Sequence, residues 1–137
     1  MLEVKREAQV AAAPADVWAV IGDFGGLAEW HPAATASSAE TVSGEIHRTI
    51  VVGDGARLVE KLESHSDADH SYSYSILEGP LPVDDYLSTL SVEADGDGSM
   101  IRWEGRFVAK GAPDEQAQAV IGGIYDLGLG ALKKRLG

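Results

Sequence analysis

The sequence predicts an α+β fold, one antiparallel sheet covered by a single long helix. Three observations carry this reading. From about position 33 to 109 apolar and polar residues alternate, and only hairpin-length connectors rich in Gly, Asp and Ser interrupt them. A further alternating stretch stands at residues 2 to 11. After Gly111-Ala112-Pro113 the apolar spacing changes from that of a strand to that of a helix.

Taken in order, Glu3, Lys5, Glu7 and Gln9 alternate with Val4, Arg6, Ala8 and Val10, as in a half-buried strand. Pro14 suits the first turn of a helix carrying Val17, Trp18, Val20 and Ile21, and Gly25-Gly26 suits its end. A shorter helix then runs through Trp30. Six strands follow, at about 33 to 42, 45 to 52, 57 to 65, 70 to 78, 85 to 94 and 99 to 109, linked by turns such as Gly53-Asp54-Gly55 and Asp95-Gly96-Asp97-Gly98. In the final helix Ala117, Val120, Ile121, Ile124, Leu127 and Ala131 form one apolar stripe, and Lys133, Lys134 and Arg135 suit its C-terminal end. That helix also holds Gly122, Gly123, Gly128 and Gly130, although glycine costs up to ~1 kcal/mol per site in a helix interior. Small residues facing a curved sheet are expected to leave room for a ligand.

Composition narrows the function. At 137 residues and 14.4 kDa the chain fits one domain, 1–137. With 22 acidic and 11 basic residues its formal net charge is -11, which repels nucleic acid and anionic lipid alike. Cysteine is absent, and with it disulfides, thiolate chemistry and Cys-based zinc sites; asparagine is absent, and with it N-glycosylation. The mixed-charge N-terminus and the lack of a long apolar run lead to the expectation of a cytoplasmic protein with no membrane insertion. Monomer and homodimer both remain open.

Strand parity supplies a candidate pocket wall. Tyr72, Tyr74 and Ile76 share one face, as do Tyr86, Ser88, Leu90 and Val92, and Ile101, Trp103, Gly105 and Phe107. On the hairpin before them Ile46, Arg48, Ile50 and Val52 share a face, and so do Leu58, Glu60 and Leu62. Such a wall, apolar and aromatic with few polar groups, suits a small-molecule site. A carboxylate among leucines asks for an explanation: Glu60 is expected to point into the cavity, where burial would raise its pKa and a nearby Arg48 would lower it.

The element order, with "VWAVIGDFGGLAEWHP" (17 to 32), "RT" at 48 to 49, "VEKL" at 59 to 62 and "GPLPVDDYLSTLSV" (79 to 92), resembles the polyketide cyclase/dehydrase-like branch of the START/Bet v 1 superfamily. The resemblance spans essentially the whole chain and implies the helix-grip fold, with a seven-stranded sheet wrapped around the last helix. More distantly the chain is similar to the lachrymatory-factor synthase, whose catalytic arginine and glutamate match Arg48 and Glu60. It is similar also to the plant abscisic-acid receptors, whose pocket positions match Glu60, Tyr74, Ile76, Tyr86 and Ser88. The receptors' ligand-anchoring lysine falls in "HPAATA", which has no cation, and their longer gate loop is replaced by Gly53-Asp54-Gly55. A gated hormone receptor is therefore disfavoured.

Glu60 and Arg48 are thus the expected catalytic pair for cofactor-free cyclisation, dehydration or isomerisation of a small hydrophobic carbonyl-bearing or aromatic compound. Tyr74, Ile76, Tyr86, Ser88, Ile50, Leu62, Trp103, Phe107, Val120 and Ile124 are the expected ligand contacts. The alternatives are a non-catalytic carrier of a lipid-like or aromatic ligand and, more weakly, a protein-interaction module. No metal or cofactor is expected: His65, Asp67, Asp69 and His70 read as turn chemistry, and "DGDGS" from Asp95 lacks the later residues of a calcium loop. His31 reads as a packing or capping residue.

Overall fold

Residues 1–137 are described by a computed structural model. The N-terminal alternating stretch forms β1 (Leu2–Val10). Helix α1 (Pro14–Ile21) follows, with Pro14 in its first turn, and a 3₁₀ segment (Phe24–Glu29) leads to Trp30. The meander comprises β2 (Ala34–Val42), β3 (Glu45–Val52), β4 (Arg57–Ser66), β5 (Ser71–Glu78), β6 (Val83–Asp95) and β7 (Gly98–Ala109), and α2 (Asp114–Leu136) closes the chain. All seven strands form one antiparallel sheet in the order β1-β7-β6-β5-β4-β3-β2, so the N-terminal strand pairs with the last one. No helix is long and apolar enough to cross a membrane.

Two local expectations are corrected. Gly22, not Gly25-Gly26, ends α1: its N–H bonds to the Trp18 carbonyl, and the Trp18 ring leaves no room there for a side chain. Gly25 and Gly26 instead lie inside the 3₁₀ segment, whose N-terminus is capped by the Asp23 carboxylate accepting from Gly25 N–H. Strand β6 begins at Val83, earlier than its alternation suggests, because an irregularity at Asp84 to Leu87 breaks the period and Asp85 takes a positive φ of 51°.

The final helix presents a different seam from the one its spacing suggests. Ala117, Ile121, Tyr125, Gly128, Leu129 and Leu132 are buried, whereas Val120, Ile124 and Ala131 are half-buried and Leu127 is 54% exposed. The reason is complementarity of size: α2 turns small residues toward the bulkiest side chains beneath it. A methyl group on Gly128 would come within 3.0 Å of His31, Trp103 and Trp30, and one on Gly122 would meet the Arg6 guanidinium. Gly123 and Gly130 face open space. None of the four glycines borders the cavity described below, so the expectation that they create ligand space is wrong; Gly128 instead admits the rings of Trp30, His31 and Trp103, and Gly122 the Arg6 guanidinium.

Helix α2 packs chiefly along β1, fastened by Arg6 Nε donating to Asp126 at 3.1 Å and by Lys133 Nζ donating to the Gln9 carbonyl at 2.6 Å. Burial of its apolar seam contributes about 1.5–3 kcal/mol for each large side chain. At the far edge of the core α1 is tied to the β4-β5 hairpin, with Trp18 Nε1 donating to Asp67 at 2.9 Å and its ring stacked on His70. His65 Nε2 donates to the Gly22 carbonyl at 2.8 Å. His65, Asp67 and His70 therefore serve packing.

Candidate functional site

The β3-β4 hairpin sets the centre of the site. Its turn closes with Val52 N–H on the Ala56 carbonyl, Gly55 at φ 89° and the Asp54 carboxylate accepting from Ala56 N–H. That turn fixes a register in which Arg48 stands directly opposite Glu60, on the inner face. Both are buried, at 1% and 3% exposure. Arg48 donates through Nε and Nη2 to the single oxygen Oε1 of Glu60, the Nε contact being 2.9 Å. Its Nη1 donates to the Phe24 carbonyl at 3.0 Å and to the Tyr72 hydroxyl at 3.3 Å. The guanidinium carbon lies 4.1 Å from the centre of the Phe24 ring and 4.9 Å from that of Tyr74, so the cation is also sandwiched between aromatic faces.

Burial pushes the Glu60 carboxyl above the usual carboxylate range, and Arg48 pulls the other way. Burial opposes the Arg48 charge, but Glu60, helped by Tyr72 and Tyr74, more than restores it, so Arg48 stays cationic. The two N–H groups that Arg48 places on Oε1 oppose that rise and favour the carboxylate form. Oε2 of Glu60 makes no hydrogen bond within the protein and is not sealed off, so it is open to the cavity.

That cavity, about 100 Å³, is bounded mainly by apolar side chains. Of the residues expected at the site, Arg48, Glu60, Ile50, Tyr74, Tyr86, Trp103 and Ile124 border it. Ile76, Leu62, Ser88, Phe107 and Val120 do not. Phe107 is fully buried beside Tyr86, and Ser88 lies behind the tyrosines as a hydrogen-bond partner. Val120 sits on α2 a turn before Ile124, beyond the cavity's reach. The sequence reading missed the mouth and one side wall, formed by Leu27, Ala33, Ala34, Val52, Arg57, Leu58, Pro80 and Leu81. Leu58 and Val52 carried a parity signal; the loop residues Pro80 and Leu81 carried none.

His31 also borders the cavity. Its Nδ1 accepts from Ala33 N–H at 3.1 Å and its Nε2–H donates to the Ile124 carbonyl at 2.8 Å, which ties the "WHP" corner to α2 and fixes the tautomer. Burial lowers its pKa; the Ile124 carbonyl opposes this and the Arg48 charge adds to it. His31 is therefore a neutral clasp.

On the opposite wall five side chains share one network. Tyr74 and Tyr86 hydroxyls lie 3.2 Å apart, Tyr86 meets the Tyr125 hydroxyl at 2.5 Å, and Tyr125 meets Ser88 Oγ at 2.8 Å. Ser88 donates to the Glu104 carbonyl at 3.0 Å, and Trp103 Nε1 donates to Tyr74 and Ser88, each at 3.1 Å. Tyr125, from α2, was not expected at the site. Burial pushes the Tyr74 and Tyr86 phenols well up and that of Tyr125 to about 12, so all three stay protonated at neutral pH.

A curved antiparallel sheet gripping a long C-terminal helix, with a cavity beside it, is the helix-grip fold. The chain belongs to the polyketide cyclase / dehydrase and lipid transport family, whose model matches residues 1–137. The protein XoxI from Bacillus cereus is similar in structure, with 33% identity, a TM-score of 0.92 and coverage of 99% of this chain and 96% of that one. A protein from Bacillus thuringiensis matches with 31% identity, a TM-score of 0.90 and 98% of each chain covered. The ZhuI aromatase/cyclase from Streptomyces sp. R1128 shares the fold at 19% identity, with a TM-score of 0.80 over 98% of this chain and 93% of that one. Comparison with curated proteins gives no match.

Proposed function

We propose that this chain binds a small hydrophobic, carbonyl-bearing or aromatic compound in the inner cavity and carries out cofactor-free acid/base chemistry on it, such as cyclisation, dehydration or isomerisation. The observation that supports this is Glu60: a buried carboxylate with one oxygen anchored on Arg48 and the other open to an apolar space. A carboxylate whose pKa is raised by burial is a stronger base than one in water. It would take a proton from carbon next to a carbonyl, or from a hydroxyl, and return it to the rearranged product. The remaining N–H of Arg48 would face the negative charge that develops on oxygen. ZhuI, named an aromatase/cyclase, lends the reaction class by likeness of fold.

One observation favours a carrier as the second reading. Four of the five Arg48 N–H groups are already committed to the protein, so the guanidinium has little left to offer a transition state without loosening from Glu60. The cavity, about 100 Å³, is also small beside the ~150 Å³ apolar cavity that takes up benzene. A larger ligand requires some of the lining side chains to move.

The deciding experiment incubates wild type and Glu60→Gln with beta-keto and aromatic carbonyl compounds and follows substrate loss and product mass. Turnover by wild type that is lost in a folded Glu60→Gln protein supports the enzyme. Compounds that bind and return unchanged from both proteins support the carrier.

A further inference from the structure

The donors and acceptors around the cavity can be assigned one by one, because a chain of hydroxyls with one proton each has its direction set by its end. Ser88 gives its proton to the Glu104 carbonyl, which can only accept. Tyr125 must then donate to Ser88, Tyr86 to Tyr125, and Tyr74 to Tyr86. The Trp103 N–H is shared between Tyr74 and Ser88. His31 spends its one N–H on the Ile124 carbonyl. Every hydroxyl and ring N–H proton on the cavity wall is therefore already used within the protein. Beyond the one uncommitted N–H of Arg48 and the exposed guanidinium of Arg57, what the wall still offers is acceptors: a lone pair on each of Tyr74 and Tyr86, and above all Oε2 of Glu60, which has no partner in the protein.

We propose that the compound held here presents an O–H group, as an enol, a phenol or an alcohol, to Oε2 of Glu60 at its inner end. The inference rests on the reading of the cavity as a ligand site and sharpens it. A bare ketone, aldehyde or ether brings only acceptors, and one placed against Oε2 and the tyrosine lone pairs would have no proton between them. A carboxylate at the inner end would meet Glu60 as a like charge. An O–H donor to a buried carboxylate forms the stronger, charge-assisted kind of hydrogen bond. The same contact places a transferable proton on the group that would remove it.

The test uses three probes that share one methyl-substituted ring: p-cresol, 4-methylanisole and p-tolualdehyde. Each is titrated into isotopically labelled wild-type protein and followed by NMR, with the side-chain carboxyl carbon of Glu60 as the local reporter. The expected result is that p-cresol binds about tenfold or more tightly than either of the others, the worth of one charge-assisted hydrogen bond. The Glu60 carboxyl signal should move with p-cresol alone. If the ether or the aldehyde binds within about twofold of p-cresol, the O–H requirement is overturned while the ligand-site reading stands. If no probe shifts the resonances of the cavity wall, both are overturned.

Discussion

Gly105 on β7 faces Tyr125 on α2 so closely that a methyl group at position 105 would overlap the Tyr125 hydroxyl. Between them these two residues fix where the helix rests on the sheet, because the hydroxyl that needs the missing side chain also bonds Tyr86 and Ser88. Gly105→Ala is expected to destabilise the fold by about 1–3 kcal/mol through overpacking. Tyr125→Phe removes the clashing oxygen, so Gly105→Ala should cost less in that background. A double-mutant cycle by urea unfolding measures the coupling, and strictly additive effects would show that the contact is not what position 105 serves.

Arg48 and Glu60 should behave as a unit. Removing either one alone, as Arg48→Ala or Glu60→Ala, strands the other charge in the core and is expected to cost about 3–5 kcal/mol. Replacing both by apolar residues of similar size, Arg48→Met with Glu60→Leu, should recover most of that loss. Unfolding midpoints of the three variants decide the matter, and the double variant, if folded, should have lost any turnover the wild type shows.

Acid should weaken the fold through His31. Its folded-state pKa lies below the ordinary histidine value, so between the two values the unfolded chain binds the extra proton and stability rises with pH. This contribution is fully present above about pH 6.5 and falls away below it, by up to about 1.4 kcal/mol per pH unit. Urea midpoints at about pH 7.5 and 5.5 should differ for wild type and differ less for His31→Gln. An unchanged slope in the variant would assign the acid sensitivity elsewhere.

The helix glycines should divide into two groups. Gly123→Ala and Gly130→Ala, at exposed positions with nothing nearby, should each stabilise by up to ~1 kcal/mol, the ordinary gain in helix propensity. Gly128→Ala should destabilise despite the same gain, since its methyl group would press on Trp30, His31 and Trp103. Thermal melts of the three single variants test the division.

How much of this was legible beforehand depends on how local the cause is. Alternation in β6 and β7 placed Tyr86, Ser88, Leu90, Trp103 and Phe107 on the inner face, and the Gly53-Asp54-Gly55 turn put Arg48 opposite Glu60. Those are short-range effects of strand pleat and turn geometry. Ile46 shares the face of Arg48 yet is exposed, because its end of the hairpin runs past the core, which parity cannot register. The seam of α2 was misjudged for a related reason. A periodic count rewards Leu127, whereas the sheet selects Gly128 and Tyr125 by the size of what lies opposite, a long-range property. The mouth residues Pro80 and Leu81 come from a loop with no period at all.

The direction of the tyrosine network ends at the Glu104 carbonyl, a main-chain group on β7. A side chain can be exchanged by mutation, but a peptide oxygen persists under every substitution at its own position. The sense in which protons point along that wall is thus anchored in the backbone and passed outward through Ser88. Ser88→Ala, which cuts this link, would free Tyr125 to turn its proton around and let Tyr74 offer an O–H to the cavity. One hydroxyl, standing behind the wall and touching no ligand, would then convert a tyrosine face that only accepts into one that also donates.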